Sequence, residues 1–232
     1  MFHGLYEQVV HFASEGALDA EIKRAKVEFI ERTGDIFESD ETFERRIGGF
    51  LEWYTLDRLT TSGGRPVDLF VAQRQGENVD PQELERLSGL LRTHLSLFEF
   101  RKAKNEQLML IDLLNPDKKG AKVEVYERRK PAGLEAGDIL EARLVPYEGK
   151  LMLSEAVMVL PREGRKVIST VAKTYRTSRT ASMPRVSFVH RIAYFANRCE
   201  RYKHVSAARI FADLEGSAFT EKPPTFLRAA AQ

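Results

Sequence analysis

Apolar residues recur at helical spacing along the first 95 residues of the chain. Over residues 17–32 and again over residues 43–54, the apolar positions share one face and charged residues lie between them. This spacing predicts amphipathic helices. Asp80 and Pro81 form a strong helix start, because Asp favours the N-cap and proline favours the first helical position. We therefore expect residues 1–95 to form a helical region.

The pattern changes over residues 96–161, where short runs of β-forming residues alternate with turn residues. The candidate strands span residues 97–101, 107–114, 122–127, 138–146 and 151–160. Because no helix is predicted between them, these strands favour an antiparallel meander. Closure of the meander into a small barrel, SH3-like or OB-like, would leave no exposed strand edges.

Helical spacing returns in the third region, residues 162–232. Residues 167–175 fit either a helix or an extended arm, and a break follows over residues 178–184. After Pro184, the apolar residues again lie along one face of a predicted helix. The sequence therefore predicts an α+β protein with a helical N-terminal region, a small antiparallel β-barrel or meander, and a helical C-terminal region.

Composition narrows the class of protein. Hydrophobic residues make up 43% of the chain and charged residues 30%, which excludes wholesale disorder. No apolar run approaches the roughly 18 to 20 residues that cross a bilayer, and we expect no membrane span. A single cysteine, Cys199, excludes an intramolecular disulfide framework and fits a reducing compartment. We therefore expect a cytoplasmic protein.

One stretch of the helical region resembles a known motif. Residues 50–58, FLEWYTLDR, follow the pattern F-x-x-W-(F/Y)-x-x-(D/E). This pattern resembles a helix of uncharacterised bacterial proteins, some of which carry the zinc-binding SEC-C motif. In those proteins a leucine-rich helix and a β-segment follow, and the resemblance extends over about residues 40–160. SEC-C binds zinc through clustered cysteines, which this chain lacks, so the resemblance implies an architecture and no zinc site.

Charge is distributed unevenly along the chain. The formal net charge is only +2, but residues 1–100 carry 11 Lys/Arg against 19 Asp/Glu, whereas residues 161–232 carry 14 against 5. No acidic residue lies between Glu163 and Glu200. Such asymmetry indicates either a partner of opposite charge or internal pairing of the acidic part with the basic part.

The basic segment predicts non-catalytic binding of nucleic acid, with RNA favoured. Its arginines are expected to neutralise phosphates, and one of two tyrosines is expected to stack on bases. On a helix after Pro184, several of these arginines share one face. The predicted binding residues are Arg176, Arg179, Arg185, Arg191, Arg198, Arg201, Tyr194 and Tyr202.

A second hypothesis explains the same charges without a nucleic acid. If the acidic helices cover the basic helix, the protein would be a protein-interaction adaptor or a self-associating scaffold. A third hypothesis, a metal-dependent hydrolase, would use the acidic run at Asp35, Glu38, Asp40, Glu41 and Glu44. Helix capping explains that run better, since acids favour the first turn of a helix.

No catalytic residue, metal ligand or cofactor site is predicted. The glycine pairs lack the flanking residues of a phosphate-binding loop, and the serines and histidines match no nucleophile motif. His190, Cys199 and His204 are the nearest approach to a set of metal ligands. His190 and Cys199 are out of phase on a helix, and a stable zinc site usually needs four ligands.

Overall fold

The computed structural model describes residues 2–77, 79–117, 120–127, 133–178 and 183–220, except for the side chain of Phe2. Within these ranges lie eight α-helices and six β-strands, so the architecture is α+β as predicted. None of the described helices combines the length and the apolar character that a transmembrane helix needs.

Five helices precede the first strand. They are α1 (Phe2–Ala13), α2 (Asp19–Thr33), α3 (Phe43–Leu56), α4 (Pro66–Gln75) and α5 (Pro81–Leu91). The predicted start of α5 is confirmed: the Asp80 carboxylate accepts a hydrogen bond of 3.0 Å from the backbone N–H of Gln82, and Pro81 is the first helical residue. Helix α2 ends at Gly34, whose φ of 87° lies in the left-handed region that favours glycine.

Two apolar clusters hold these helices together. In the first, Phe29 of α2 packs against Phe50 and Trp53 of α3, with ring centroids 5.6 Å apart in both pairs. The second cluster joins α1, α4 and α5, and it also contains Val145 from the sheet. The helical part therefore packs directly on the β-sheet.

The six strands are β1 (His94–Lys104), β2 (Gln107–Asp112), β3 (Ala121–Tyr126), β4 (Ile139–Tyr147), β5 (Lys150–Leu153) and β6 (Met158–Val159). Asn105 and Glu106 connect β1 to β2 with φ values of 51° and 59°, so this two-residue turn places both residues in the left-handed region. The last predicted strand is divided into β5 and β6, because the chain leaves the sheet over residues 154–157.

The strands do not follow a simple meander. Strand β1 pairs with β2 on one side and with β4 on the other, and both ladders are antiparallel. Strand β5 lies between β3 and β4, and its pairing with β3 is parallel. In a meander each strand pairs with its neighbours along the chain. Here β5 pairs with β3, although β4 lies between them in the sequence, so the order differs from the predicted meander. Strand β6 adds a short antiparallel ladder to β4.

Three helices complete the fold: α6 (Arg165–Thr177), α7 (Arg185–Arg201) and α8 (Ala207–Ser217). Residues 167–175 are therefore helical and do not form an extended arm. The apolar faces of these helices share one core with the sheet, in which Phe188, Ile192 and Phe195 of α7 pack with Leu97 of β1. Helix α7 also contacts α2 and so joins the C-terminal region to the acidic helices.

A buried arginine connects the helical region to the sheet. Arg143 of β4 is only 1% exposed, and its Nε donates a hydrogen bond of 3.2 Å to Glu52 of α3. Its other nitrogens donate to Asp57, just after α3, and to the hydroxyl of Thr93 at 2.9 Å. Two carboxylates thus share one guanidinium group in the interior.

Candidate nucleic-acid interface

The residues predicted to bind nucleic acid lie in three separate places. Arg176 belongs to α6, whereas Arg185 stands at the beginning of α7. Arg191 faces the interior near α8. Arg198 and Arg201 occupy the end of α7 with Tyr194 and Tyr202, and Arg179 lies outside the described residues. The structure therefore does not bring the predicted set together on one surface.

Arg176 and Arg185 approach the end of β2 from two helices. Nη1 of Arg176 donates a hydrogen bond of 3.1 Å to the carbonyl oxygen of Leu113. Nη1 of Arg185 contacts the His94 ring and lies 3.5 Å from the Asp112 carboxylate. Burial alone would raise the pKa of Asp112. Hydrogen bonds, of which the one from His94 has the largest effect, outweigh burial and hold the pKa below its usual value. Both arginines therefore stabilise the end of the β1–β2 pair.

Arg191 is an interior residue with 4% of its surface exposed. Its Nη1 donates to the carbonyl oxygen of Ser217 at 2.6 Å and to the Thr220 hydroxyl at 2.8 Å, and Nη2 donates to the Thr220 carbonyl oxygen at 2.8 Å. These acceptors lie at the C-terminal end of α8, where helical carbonyl groups lack intrahelical partners. Burial lowers the pKa of Arg191, but arginine stays charged in proteins. Arg191 therefore caps α8 and is not positioned to contact a phosphate.

The end of α7 carries a cluster of arginines and aromatic rings. The Arg198 guanidinium lies 4.7 Å from the centroid of the Tyr202 ring and 5.6 Å from that of Tyr194. The guanidinium of Arg201 lies 3.5 Å from the Phe37 ring centroid. Phe37 is 45% exposed and Tyr202 is 38% exposed, so two aromatic rings of this cluster reach solvent. We call these five residues the aromatic–arginine cluster.

Acidic residues of the N-terminal part pair with this end of α7. Arg201 donates a hydrogen bond of 2.9 Å to Asp40, and Lys203 lies 3.0 Å from Glu41. Glu200 accepts hydrogen bonds from the backbone N–H and the hydroxyl of Thr42. Part of the charge asymmetry is therefore paired within the chain.

Two arginines near the beginning of the C-terminal region also have partners within the chain. Arg162 and Arg165 both donate to the carboxylate of Asp138, which is fully buried beside the start of β4. Burial opposes ionisation of Asp138, but the hydrogen bond from Arg162, with those from the Glu135 N–H and Arg165, lowers the pKa of Asp138 to about 2. These two arginines therefore fix the segment before β4.

A different set of cations lies on the outer side of the sheet. Lys102 is paired with Met109 across the β1–β2 ladder, Lys104 with Gln107, and Lys122 with Ile111 across the β2–β3 ladder. Met109 and Gln107, which face Lys102 and Lys104, alternate with Leu108 and Leu110 of the apolar core, and Lys122 stands next to Val123, so the three lysines point outward. None of the three forms an ion pair within 4.0 Å with another described residue.

An aromatic residue completes this outer surface. Tyr126 lies opposite Gln107 in the β2–β3 ladder, and Nζ of Lys150 lies 3.9 Å from the centroid of its ring. We call the surface formed by Lys102, Lys104, Lys122, Tyr126 and Lys150 the strand face. Sequence reasoning missed it, although Lys122, Glu124 and Tyr126 alternate with apolar residues at 121–126 and were the available signal.

A family model matches residues 19–195, from the start of α2 to the last turns of α7. The chain belongs to DUF7986, a family of unknown function. No curated protein and no solved structure matches the chain. The match to DUF7986 includes the strand face and the buried Arg143, but α1 and α8 lie outside it. The resemblance to proteins associated with the SEC-C motif stays a prediction.

Metal ligands do not cluster in the described part of this DUF7986 protein. No group of three or more His, Cys, Asp or Glu side chains among the described residues is arranged to hold a metal ion. Cys199 is half-buried, and burial raises the pKa of its thiol to about 11. Asp40 and Glu41 of the acidic run pair with Arg201 and Lys203, as described above.

Proposed function

We propose that strands β1 to β5 form a small closed barrel of OB-like form. The strand order β1–β2–β3–β5–β4 supports it, because β4 pairs again with β1 over six residues, His94 to Glu99, and so completes a ring. The parallel contact between Tyr126 and Met152 joins β3 to β5, as a Greek-key barrel requires and a meander does not.

One apolar core inside this ring supports the same proposal. Phe98 and Phe100 of β1 share a cluster with residues from each of the other four strands. These are Leu108, Leu110, Val125, Leu140, Ala142 and Leu144, with Leu153 packed against them. In a small barrel the inward side chains fill the interior and the alternate side chains face outward.

We further propose that the protein binds nucleic acid without catalysis, and that single-stranded RNA is its preferred ligand. The observation that carries this proposal is the strand face, because strands 2 and 3 of OB-folds are the surface on which oligonucleotides bind. Lys102, Lys104 and Lys122 would neutralise phosphates. Tyr126 would stack on a base, with Lys150 beside it.

The C-terminal arginines have a supporting role in this proposal. Helix α7 packs against β1 and so helps to hold the barrel. Arg191 stabilises α8, and Arg201 pairs with Asp40, so both arginines have acceptors within the chain. The proposal keeps the nucleic-acid function expected from the sequence and moves its site from α7 to the sheet.

Fluorescence anisotropy with a labelled single-stranded RNA of about 12 nucleotides tests the proposal. We expect an affinity that falls as salt rises, because each neutralised phosphate releases a counterion. Replacement of Lys102 and Lys122 by Ala should reduce affinity about tenfold or more at low salt and flatten the salt dependence. Tyr126→Ala should reduce affinity by about tenfold, with little change in the salt dependence.

A matched control removes two lysines from a different surface. Lys23 and Lys26 are exposed on α2, so Lys23→Ala with Lys26→Ala changes the net charge equally. We expect this variant to keep most of the affinity. Equal losses for the two double variants would indicate nonspecific attraction, and an absence of RNA binding by the unmodified protein at low salt would refute the proposal.

A protein-interaction role is the second candidate function. The aromatic–arginine cluster favours it, since Arg, Tyr and Phe are enriched at the centres of protein interfaces. Tyr202→Ala with Phe37→Ala should then reduce self-association or partner capture and leave RNA binding unchanged. Sedimentation of the full chain over a range of concentrations, with and without these changes, separates this role from the first.

A further inference from the structure

A cavity of about 500 Å³ lies between α1, α3 and the chain that follows β5. Its walls are mostly apolar and include Val10, Leu51 and Ala156, with the ring of Tyr6 alongside. A volume of this size accommodates a small organic molecule. The cavity is separate from the strand face, so a ligand bound here would be independent of the proposed function.

A buried carboxylate, Glu52, contributes to the lining of the cavity. Its side chain is on α3 and only 6% of the residue is exposed. Arg143 donates to Glu52, but the same guanidinium also pairs with Asp57. With both carboxylates ionised, this triad has a net charge of −1. Burial raises the pKa of Glu52, although the charge of Arg143 and hydrogen bonds from Ser154 and the Ala156 N–H oppose the rise. The buried negative charge is therefore held at a cost, which a cation in the cavity would offset.

Neighbouring ionisable groups respond to this negative charge. Burial raises the pKa of the Tyr6 hydroxyl, and the charge of Glu52 raises it further. Burial also raises the pKa of Glu141 to about 7, and Glu52 again adds to the rise. In both groups burial is the largest cause of the rise, and the charge of Glu52 adds to it.

The rim of the cavity is also mainly acidic. Glu7, Glu44 and Glu155 line it, together with Arg45. The His3 ring lies between two of these carboxylates, with Nε2 at 2.9 Å from Glu7 and Nδ1 at 3.3 Å from Glu155. The named carboxylates thus outnumber the arginine, and an approaching cation meets a favourable potential.

We propose that this cavity binds a small organic cation with an apolar body, such as a primary alkylammonium ion. The ammonium group hydrogen-bonds to the Glu52 carboxylate and completes the charge balance of the Glu52–Arg143–Asp57 triad. The alkyl chain lies along Val10 and Leu51. The Tyr6 ring lines the cavity beside this position.

Isothermal titration calorimetry of the full chain with hexylammonium, hexanol and hexanoate tests the proposal at neutral pH. We expect hexylammonium to bind about tenfold or more tightly than hexanol, because a hydrogen bond to a buried carboxylate favours the cation. Hexanoate should bind most weakly. Equal affinities for hexylammonium and hexanol, or no saturable binding of hexylammonium at about 10 mM, would overturn the proposal.

Two variants locate the binding site. Glu52→Gln should weaken hexylammonium binding about tenfold and leave hexanol binding within about twofold. Val10→Trp fills the cavity and leaves the buried charges in place. It should therefore weaken the binding of both hexylammonium and hexanol. This variant tests the location if Glu52→Gln does not fold. Glu31→Gln, on the exposed surface of α2, makes the same change of charge and should bind as the unmodified protein does. Unchanged hexylammonium binding by Val10→Trp would refute this location.

Discussion

Positive side chains have different surroundings on α7 and on the strand face. On α7 all the cations are arginines, and Arg191 uses its planar guanidinium to reach three fixed acceptors at once. On the strand face, Lys102, Lys104 and Lys122 belong to short β-ladders, and their side chains point away from the core. Helix α7 is enclosed by α2, α8 and β1, whereas Lys102, Lys104 and Lys122 of the strand face are exposed.

The contrast shows that the number of charges in a segment does not measure its cationic surface. Arginine suits enclosed positions, because its rigid fork satisfies several carbonyl or carboxylate acceptors together. Lysine is a strongly hydrated point charge, and it is rarely buried without a partner. The interior arginines should therefore affect stability, whereas the strand-face lysines should affect binding.

The largest effect should come from Arg143, which is only 1% exposed. Arg143→Met should reduce the free energy of unfolding by about 3 to 5 kcal/mol, because it leaves Glu52 and Asp57 buried without a counterion. Urea unfolding followed by circular dichroism measures this loss. The combined variant Arg143→Met, Glu52→Gln, Asp57→Asn removes the charges together and should recover much of it. A loss below about 1 kcal/mol for the single variant would contradict the prediction.

Arg191 should have the next largest effect. Arg191→Ala removes three hydrogen bonds at the end of α8 and should cost about 2 to 3 kcal/mol of unfolding free energy. Amide hydrogen exchange should rise first in α8 (Ala207–Ser217), since the Ser217 carbonyl group ends this helix and Thr220 follows three residues later. Arg191→Lys should recover part of the loss, because an ammonium group cannot reach all three acceptors as a guanidinium does. Equal exchange in α8 before and after Arg191→Ala would exclude a capping role.

His190, on the buried face of α7, should make the stability of the protein depend on pH. The residue is 3% exposed between the rings of Phe29 and Trp53, and burial, reinforced by the charges of Arg32 and Arg143, lowers its pKa to about 3. The unfolded chain therefore takes up a proton first as the pH falls below about 6.5, and stability decreases until the folded pKa is reached. Between pH 7 and pH 5, protonation of His190 in the unfolded chain should lower the free energy of unfolding by about 2 kcal/mol.

The His190→Leu variant isolates that contribution. Unfolding free energies measured at pH 7 and at pH 5 should differ by about 2 kcal/mol less in this variant than in the unmodified protein. The other histidines are present in both proteins, so their contributions cancel in the comparison. The same pH dependence in both proteins would show that His190 is not the group responsible.

The sequence allowed good predictions for elements that depend on local signals. The start of α5 follows from Asp80 and Pro81, and helical spacing located α2, α3 and α7. Most of the strands were found by their composition, since β-branched and apolar residues alternate with turns. Their pairing was not predictable in the same way, because the β3–β5 contact joins Tyr126 to Met152 across a full strand and two loops.

The candidate site was harder to predict, because exposure depends on tertiary contacts. Nothing near Arg191 in the sequence indicates that its acceptors are Ser217 and Thr220, about 26 residues away. Likewise the pairing of Arg201 with Asp40 spans 161 residues. The basic segment was correctly identified as unusual, but the sequence could not distinguish arginines that fix the fold from arginines that remain open to a ligand.

Arg201 provides the smallest and most discriminating of these changes. Its pair with Asp40 and its contact with the Phe37 ring lie near the surface, where such interactions contribute little, so Arg201→Ala should cost about 0.5 kcal/mol of unfolding free energy. If the strand face binds RNA, anisotropy should also show no more than a twofold loss of affinity for this variant. A tenfold loss of affinity would return the binding site to α7, since a stability loss of about 0.5 kcal/mol is too small to account for it.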